Sequence, residues 1–210
     1  FSKVSVAGID QISLLDLRMA DRLGFRIKLI AEGVLTDAGV VCRVEPLALP
    51  AAHPLARVNG SLNTVRIEGD PVGAITLTGP GAGAGPTASA VMGDVAKLFR
   101  PAIRSAFGRA KHHKARPFVQ GSADEIGSFF LRVRLADQPG ALAALTEALA
   151  HEGVSVDKLL QDSADESGAA PVAIVTHRCP LSHMQAALSR IEKISVPIDA
   201  PRLIRIEAAS

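Results

Sequence analysis

The segment Asp137–Leu142 has the residue types of a turn that binds a small ligand. It follows the alternating run 129–135 and leads into an Ala- and Leu-rich stretch of helical character. A tight strand-to-helix turn leaves unpaired backbone N–H groups, and Pro139 suits the first helical position because it has no N–H. Such a turn can hold the carboxylate of a small amino acid.

The glycine-rich loop 79–86 is a second candidate, because it precedes a helical pattern. Glycines let a ligand approach the backbone, and a helix N-terminus favours phosphate groups. The spacing, however, is neither Gly-x-Gly-x-x-Gly after a parallel strand nor a P-loop ending in Gly-Lys-Ser/Thr. From its residues alone the loop is more typical of a structural turn than of a nucleotide site.

Other reactive side chains form no recognisable site. The six His and two Cys residues lack metal-ligand spacing, so we expect no metal. The basic run 109–116 has no interleaved aromatic residues, which favours a solvated connector over a nucleic-acid surface. Lys28 lies in a strand pattern between Ile27 and Leu29, and we expect it on the exposed face.

The elements that must position the first turn follow one another in a defined order. Periodicity predicts strand 127–136, helix 139–152, strands 153–162 and 170–177, helix 181–193 and strand 202–207. This is the βαββαβ order of a ferredoxin-like unit. Six apolar residues at helical spacing should pack into its core: Leu142, Leu145, Leu149, Met184, Leu188 and Ile191.

Residues 1–108 predict a further α+β module with an antiparallel or mixed sheet. A helix capped by Asp10 or Ser13 should end at Gly24. Its apolar residues are Leu14, Leu17, Ala20 and Leu23. Strands 25–35 and 40–49 form one predicted hairpin, strands 63–68 and 72–78 form a second, and a helical pattern covers 87–107. The pattern contains no βαβ dinucleotide-binding unit.

Composition narrows the class of protein. The 210 residues are 48% hydrophobic, and 23 basic against 21 acidic residues give a net charge of +2. Neither nucleic acid nor a membrane is therefore an expected partner. Cys42 and Cys179 are far apart, which argues for a reducing compartment. Without a long apolar run, we expect a cytoplasmic protein.

Several motifs in sequence order resemble the C-terminal portion of bacterial homoserine dehydrogenase, and the turn resembles the ligand turn of ACT domains, which sense amino acids. The resemblance covers nearly the whole chain as far as Thr176-His177. Its main motifs are Gly8-Ile9 with Ile12 and Asp16, the run Leu23–Leu29, Val58-Asn59-Gly60 with Asn63, Gly69–Gly73, Gly79–Gly83 and Pro86–Val91.

The resemblance implies an NAD(P)-dependent enzyme that interconverts L-aspartate 4-semialdehyde and L-homoserine. In that family an upstream Lys handles the proton, and an N-terminal Rossmann domain binds the cofactor. We therefore expect residues 1–210 to hold no catalytic residue, to bind no cofactor alone and to be inactive alone. The alternative is a stand-alone amino-acid sensor, although such a protein has no need of the glycine loop.

The resemblance also implies domains and sites. Residues 1–108 would be the end of the catalytic domain, 109–126 a linker and 127–210 the ACT regulatory domain. Cofactor contacts would come from Gly81, Ala82 and Gly83. Effector contacts would come from Asp137, Gly140, Ala141, Leu142 and Gln161.

L-Threonine is the expected effector, with Asp137 accepting a hydrogen bond from its ammonium group. The alternative is that Asp137 caps the helix and Gln161 faces solvent. ACT modules commonly bind at a dimer interface, so a homodimer or higher homo-oligomer is expected.

Overall fold

The computed structural model describes residues 3–99, 116–122 and 125–207. Their contacts divide the chain into two compact units. The first unit joins Phe1–Ala56 to Pro117–Ser210, and the second unit is Arg57–Arg116. Most of the basic run 109–116 lies outside the described residues.

The helices and strands follow the predicted order. They are β1 Ser5–Val6, α1 Leu14–Arg22, β2 Phe25–Leu35, β3 Val40–Pro50, a 3₁₀ helix Pro54–Arg57, β4 Leu62–Gly69, β5 Gly73–Pro80, α2 Ala84–Leu98, β6 Phe118–Val119, β7 Ile126–Ala136, α3 Ala141–His151, β8 Val156–Gln161, β9 Ala169–Thr176, β10 Cys179–Pro180, α4 Leu181–Ile191 and β11 Arg202–Ile206. No helix in these ranges is long and apolar enough to cross a membrane.

A mixed sheet forms the centre of the first unit. Its order β11-β7-β9-β8 is antiparallel, which confirms the predicted ferredoxin-like arrangement and the α+β class. The sheet continues past β11, because β3 pairs with it in parallel and β2 pairs with β3 as an antiparallel hairpin. Residues from both predicted domains therefore share one sheet.

This sharing means that the compact units do not follow the limits 1–108, 109–126 and 127–210. Those limits stay a prediction about family domains, whereas the contacts group residues 1–56 with the C-terminal part of the chain. The physical link is backbone pairing of Leu47 with Arg205 and of Ala48 with Ile206. A sequence pattern does not reveal such long-range pairing.

The sheet of the first unit is covered on both faces. On one face α3 and α4 pack against β7 and β9, and Leu145, Leu149, Met184 and Ile191 are fully buried. These four residues confirm the predicted core, and Leu142 and Leu188 pack at its margin. On the other face a second cluster brings the two parts of the chain together: Met19, Ala20, Phe25, Ala48, Phe130, Ala173, Val175 and Ile204.

Helix α1 has the predicted ends, and its buried face agrees with the prediction only in part. Ser13 caps it through a capping box with Asp16, and Gly24 follows it with a left-handed φ of 88°. Ala20 is fully buried and Leu23 packs beside it, as expected. The other two expected residues, Leu14 and Leu17, are 60% and 42% exposed, and Asp16 and Met19 are fully buried instead. The helix turns the Asp16 side towards the sheet, where Asp16 pairs with Arg132.

Lys28 is less exposed than the sequence pattern predicted. Lys28 is half-buried and Leu29 is 49% exposed. Lys28 shares its strand face with Ile30, which packs against Leu47 and Leu49 in a third apolar cluster. The covering of that face could not be read from strand alternation alone.

The second unit contains the antiparallel hairpin β4–β5, followed by α2. Helix α2 begins at Ala84, three residues before the predicted start, because Gly83 with φ 121° provides its N-terminal boundary. The predicted continuation to residue 107 lies outside the described residues beyond Phe99. No residue of Ala84–Leu98 is buried.

Candidate effector and cofactor sites

The predicted effector turn connects β7 to α3. Gly140 has a left-handed φ of 88°, and α3 begins at Ala141. Pro139 therefore precedes the helix boundary and is not the first helical residue, which corrects the sequence expectation. The reason is that the chain reverses at Gly140, where a left-handed φ costs glycine little.

Backbone hydrogen bonds fix the shape of this turn. Asp137 donates its N–H to the carbonyl of Gly168 at 3.1 Å, and Ala141 donates to the carbonyl of Gln138 at 3.2 Å. These two amides are thus already used. Over the described ranges, the N–H groups of Gly140, Leu142 and Ala143 meet no backbone acceptor. Open donors at the start of a helix are suited to a carboxylate.

The predicted effector residues do not all meet at this turn. Asp137, Gly140, Ala141 and Leu142 are consecutive on it, with the Asp137 side chain exposed and Ala141 buried. The boundary residue Gly140 has no side chain to cap α3. Within the described part of the chain, Asp137 does not cap the helix either, contrary to the alternative.

Gln161 lies apart from the turn of its own chain. It is exposed at the end of β8, where it pairs with Val172, which in turn pairs with Val133. That register places it two strand spacings, about 10 Å, across the sheet and four residues, about 13 Å, along it from Asp137. Gln161 thus faces solvent, as the alternative expected.

A network of charged side chains next to the turn was missed by sequence reasoning. Arg134 donates to Asp165 at 2.5 Å and to Asp199 at 3.3 Å, and Arg132 donates to Asp199 at 3.1 Å. Arg132 also donates to Asp16 at 2.8 Å. The alternation in run 129–135 was an available signal, since it places both arginines on one strand face.

The pKa values of two carboxyl groups reflect this network. Burial alone would raise the pKa of Asp16, but hydrogen bonds from Arg132 and Ser13 outweigh it and hold the pKa below its ordinary value. The pKa of Asp165 is also lowered, first by the Ser167 hydroxyl and then by Arg134. Both groups are therefore carboxylates at neutral pH.

The predicted cofactor loop is shaped by β4 and α2. Gly81 donates its N–H to the carbonyl of Ser61 at 2.9 Å, and Thr87 donates to the carbonyl of Gly83 at 3.1 Å. A Cβ at Gly81 would collide with the side chain of Asn63. Gly81, Ala82 and Gly83 are exposed, so a ligand can approach their backbone closely.

A cavity of about 850 Å³ lies elsewhere in the first unit. Two of its arginines pair with carboxylates at or near the cavity: Arg43 with Glu125, and Arg205 with Glu45 and Glu32. None of the predicted site residues lines it. Among the described residues, no group of three or more His, Cys, Asp or Glu side chains could hold a metal ion.

Comparison with protein families gives two matches along the chain. The model of the homoserine dehydrogenase family matches residues 1–96, and that of the ACT domain matches residues 129–196. Asp16 and the glycine loop fall in the first match, whereas the 137–142 turn and Gln161 fall in the second.

Individual proteins resemble the chain over nearly all of its length. Homoserine dehydrogenase of Neisseria gonorrhoeae is 35% identical, covering 99% of this chain and 49% of the relative. That of Synechocystis is also 35% identical, covering 97% and 49%. The solved homoserine dehydrogenase of Thiobacillus denitrificans is 29% identical with a TM-score of 0.76, covering 98% of this chain and 48% of that one. The chain thus spans about half the length of the curated relatives that it matches.

Proposed function

This chain belongs to the homoserine dehydrogenase family. From that premise we propose that it is part of an enzyme that interconverts L-aspartate 4-semialdehyde and L-homoserine with NAD(P)H. The relatives that carry the enzyme's name match the chain almost from end to end. A stand-alone sensor is less well supported, because the family match over 1–96 includes the glycine loop. Residues 1–210 would be inactive alone, since their motifs include no proton-transfer group of the expected kind.

The glycine loop would contact the cofactor through its backbone. Gly81, Ala82 and Gly83 are exposed, and the missing side chain at Gly81 already allows close packing against Asn63. These features fit a ligand that lies against the main chain near a helix N-terminus. When bound, the cofactor would supply the hydride, and the loop backbone would lie against it.

The 137–142 turn would bind the amino-acid effector, for which L-threonine is our candidate. The carrying observation is that the N–H groups of Gly140, Leu142 and Ala143 have no backbone acceptor in the described ranges, while Asp137 lies beside them exposed. The amide N–H groups would donate hydrogen bonds to the effector carboxylate, and Asp137 would accept a hydrogen bond from its ammonium group. The ACT match over this turn supports a regulatory role.

A homodimer would complete the effector site. Gln161 is about 10 Å across the sheet and 13 Å along it from the turn of its own chain. For its side chain to reach the same ligand, it would have to come from a second copy. We also propose a cytoplasmic location, because Cys42 and Cys179 are both free thiols.

Calorimetric titration with L-threonine tests the regulatory proposal. We expect saturable binding to the chain, loss of that binding in Asp137→Ala, and weaker heats with L-homoserine, L-isoleucine and L-serine. Asp37→Ala is the matched control, since Asp37 is also an exposed turn carboxylate and lies between β2 and β3. If the control loses binding equally, or if millimolar threonine gives neither heat nor a shift in melting temperature, the proposed sensor is wrong.

A further inference from the structure

Helix α1 contacts the ACT sheet at both of its ends. Near its start, Asp16 pairs with Arg132 on β7. In its last turn, Arg22 pairs with Asp162, which directly follows Gln161. Asp162 is thus next to a predicted effector residue, and Arg132 lies on the strand that leads into the 137–142 turn. Helix α1 lies in the region that matches the catalytic family, and Arg132 and Asp162 lie in the ACT match.

The pair at the start of α1 is buried, whereas the pair at its end is exposed. The side chains of Asp16 and Arg132 are 0% and 8% exposed, against 35% and 51% for Asp162 and Arg22. Exposed pairs contribute little to the free energy of folding. A buried pair gives little advantage over an apolar pair of the same shape, but it fixes one orientation of the two elements.

The buried pair is connected to the turn by a chain of hydrogen bonds. The Asp199 carboxylate bridges the two arginines, with one oxygen on Arg132 at 3.1 Å and the other on Arg134 at 3.3 Å. Arg134 also holds Asp165 and Ser167, whose loop ends at Gly168. Gly168 then accepts the N–H of Asp137. The contacts therefore run without a gap from the turn to α1.

We propose that Asp199, Arg132 and Arg134 are positioning residues that transmit effector occupancy of the 137–142 turn to α1. The inference rests on the proposed function, and it adds the route by which the sensor acts on the catalytic part. When the effector binds, the end of β7 moves. This movement changes the hydrogen bonds that Arg132 and Arg134 donate to Asp199. The orientation of Asp16, and with it the first turn of α1, changes in response.

The test uses the full-length enzyme that contains this chain, with Asp199→Asn as the main variant. Asp199 is 38% exposed, so the amide should be tolerated by the fold. We expect threonine affinity measured without substrate to stay within about twofold, and the rate without threonine to stay unchanged. At subsaturating substrate, threonine that weakens substrate binding by the usual coupling lowers the rate by about 5- to 150-fold, and this factor should fall towards 1 in the variant.

Glu152→Gln is the matched control, because it removes an ion pair with Arg190 on the α3–α4 side of the sheet. It should keep full inhibition. Asp16→Asn is the second variant, and its effect on inhibition should not add to that of Asp199→Asn, since both break one route.

The outcomes separate the two hypotheses. Threonine that neither binds nor inhibits the wild-type enzyme overturns the sensor and this inference with it. If threonine binds and inhibits the wild type normally and does the same in Asp199→Asn and Asp16→Asn, the sensor proposal stays intact and the route is overturned. Normal threonine binding, with inhibition lost in Asp199→Asn and Asp16→Asn but kept in the Glu152→Gln control, supports the route.

Discussion

Two helices of this chain begin in the same way but in different surroundings. Helix α2 follows Gly83 and α3 follows Gly140, both glycines with positive φ and without a side-chain cap. Helix α3 buries Leu145 and Leu149 against the sheet, whereas no residue of α2 is buried. The same local geometry therefore precedes a helix that is anchored in the core of its unit, α3, and a helix that is not, α2.

Because of this difference, the two proposed sites differ in how firmly they are held before a ligand binds. The 137–142 turn is pre-formed, because buried residues fix α3 and a hydrogen bond to Gly168 fixes Asp137. A pre-formed site loses little conformational entropy when a ligand binds. The glycine loop 79–86 is joined to Ser61 by one backbone hydrogen bond and lies close to Asn63, and none of the described residues of its unit is buried. Its ligand would thus have to be positioned mainly by groups beyond the loop.

The largest expected effect tests the contrast in burial directly. Leu149→Ala should lower the free energy of unfolding by about 2–5 kcal/mol, because it leaves a cavity under α3. Val91→Ala in α2 should change it by less than about 0.5 kcal/mol, since Val91 is 56% exposed. Urea denaturation of both variants measures the difference. A loss of several kcal/mol for Val91→Ala would mean that Val91 is buried against a partner, and the proposed difference between α2 and α3 would be wrong.

A smaller effect separates the conformation of the turn from its function. Gly140→Ala should cost about 1–2 kcal/mol, because alanine is disfavoured at a φ of 88°. Gly24→Ala is a closely matched control: Gly24 has the same φ, and neither glycine has an atom within 4 Å of an added Cβ. Both variants should lose similar stability in urea, but only Gly140→Ala should weaken threonine binding in calorimetry. Equal binding losses would show that the binding depends on stability alone.

Local patterns predicted the elements of this fold better than their contacts. The βαββαβ order, the hairpin turn at 36–39 and the cap at Ser13 all depend on near neighbours in sequence, and the structure confirms them. The pairing of β3 with β11 joins residues about 160 positions apart. Nothing in either strand's alternation distinguishes that partner from another, so the shared sheet could not be predicted.

The candidate site shows the same limit at the level of side chains. The turn 137–142 was found because Asp, Pro and Gly have strong local preferences. The buried face of α1 was misjudged because Asp16 is hydrophilic by type, and its burial is tolerated only with Arg132 and Ser13 as partners. Ser13 is a near neighbour, but Arg132 is 116 positions away in sequence and could not be identified from the helix pattern. An Arg-x-Arg alternation on a strand is a signal that could have prompted a search for buried carboxylates.

The smallest expected effect is a pH dependence that reports on the anchoring of the turn's unit. The pKa of Asp16 is lower in the folded chain than its ordinary value of 3.8. The unfolded chain therefore binds this proton more readily, so the stability that the pair contributes is present above about pH 4 and is lost as the pH falls through the lowered folded pKa. Urea denaturation of the wild type and of Asp16→Asn between pH 2 and 6 should show the wild type losing more stability on acidification than the variant. Parallel curves would mean that the carboxylate of Asp16 does not help to hold α1 on the sheet, and the turn would then owe its shape to α3 and the Gly168 hydrogen bond alone.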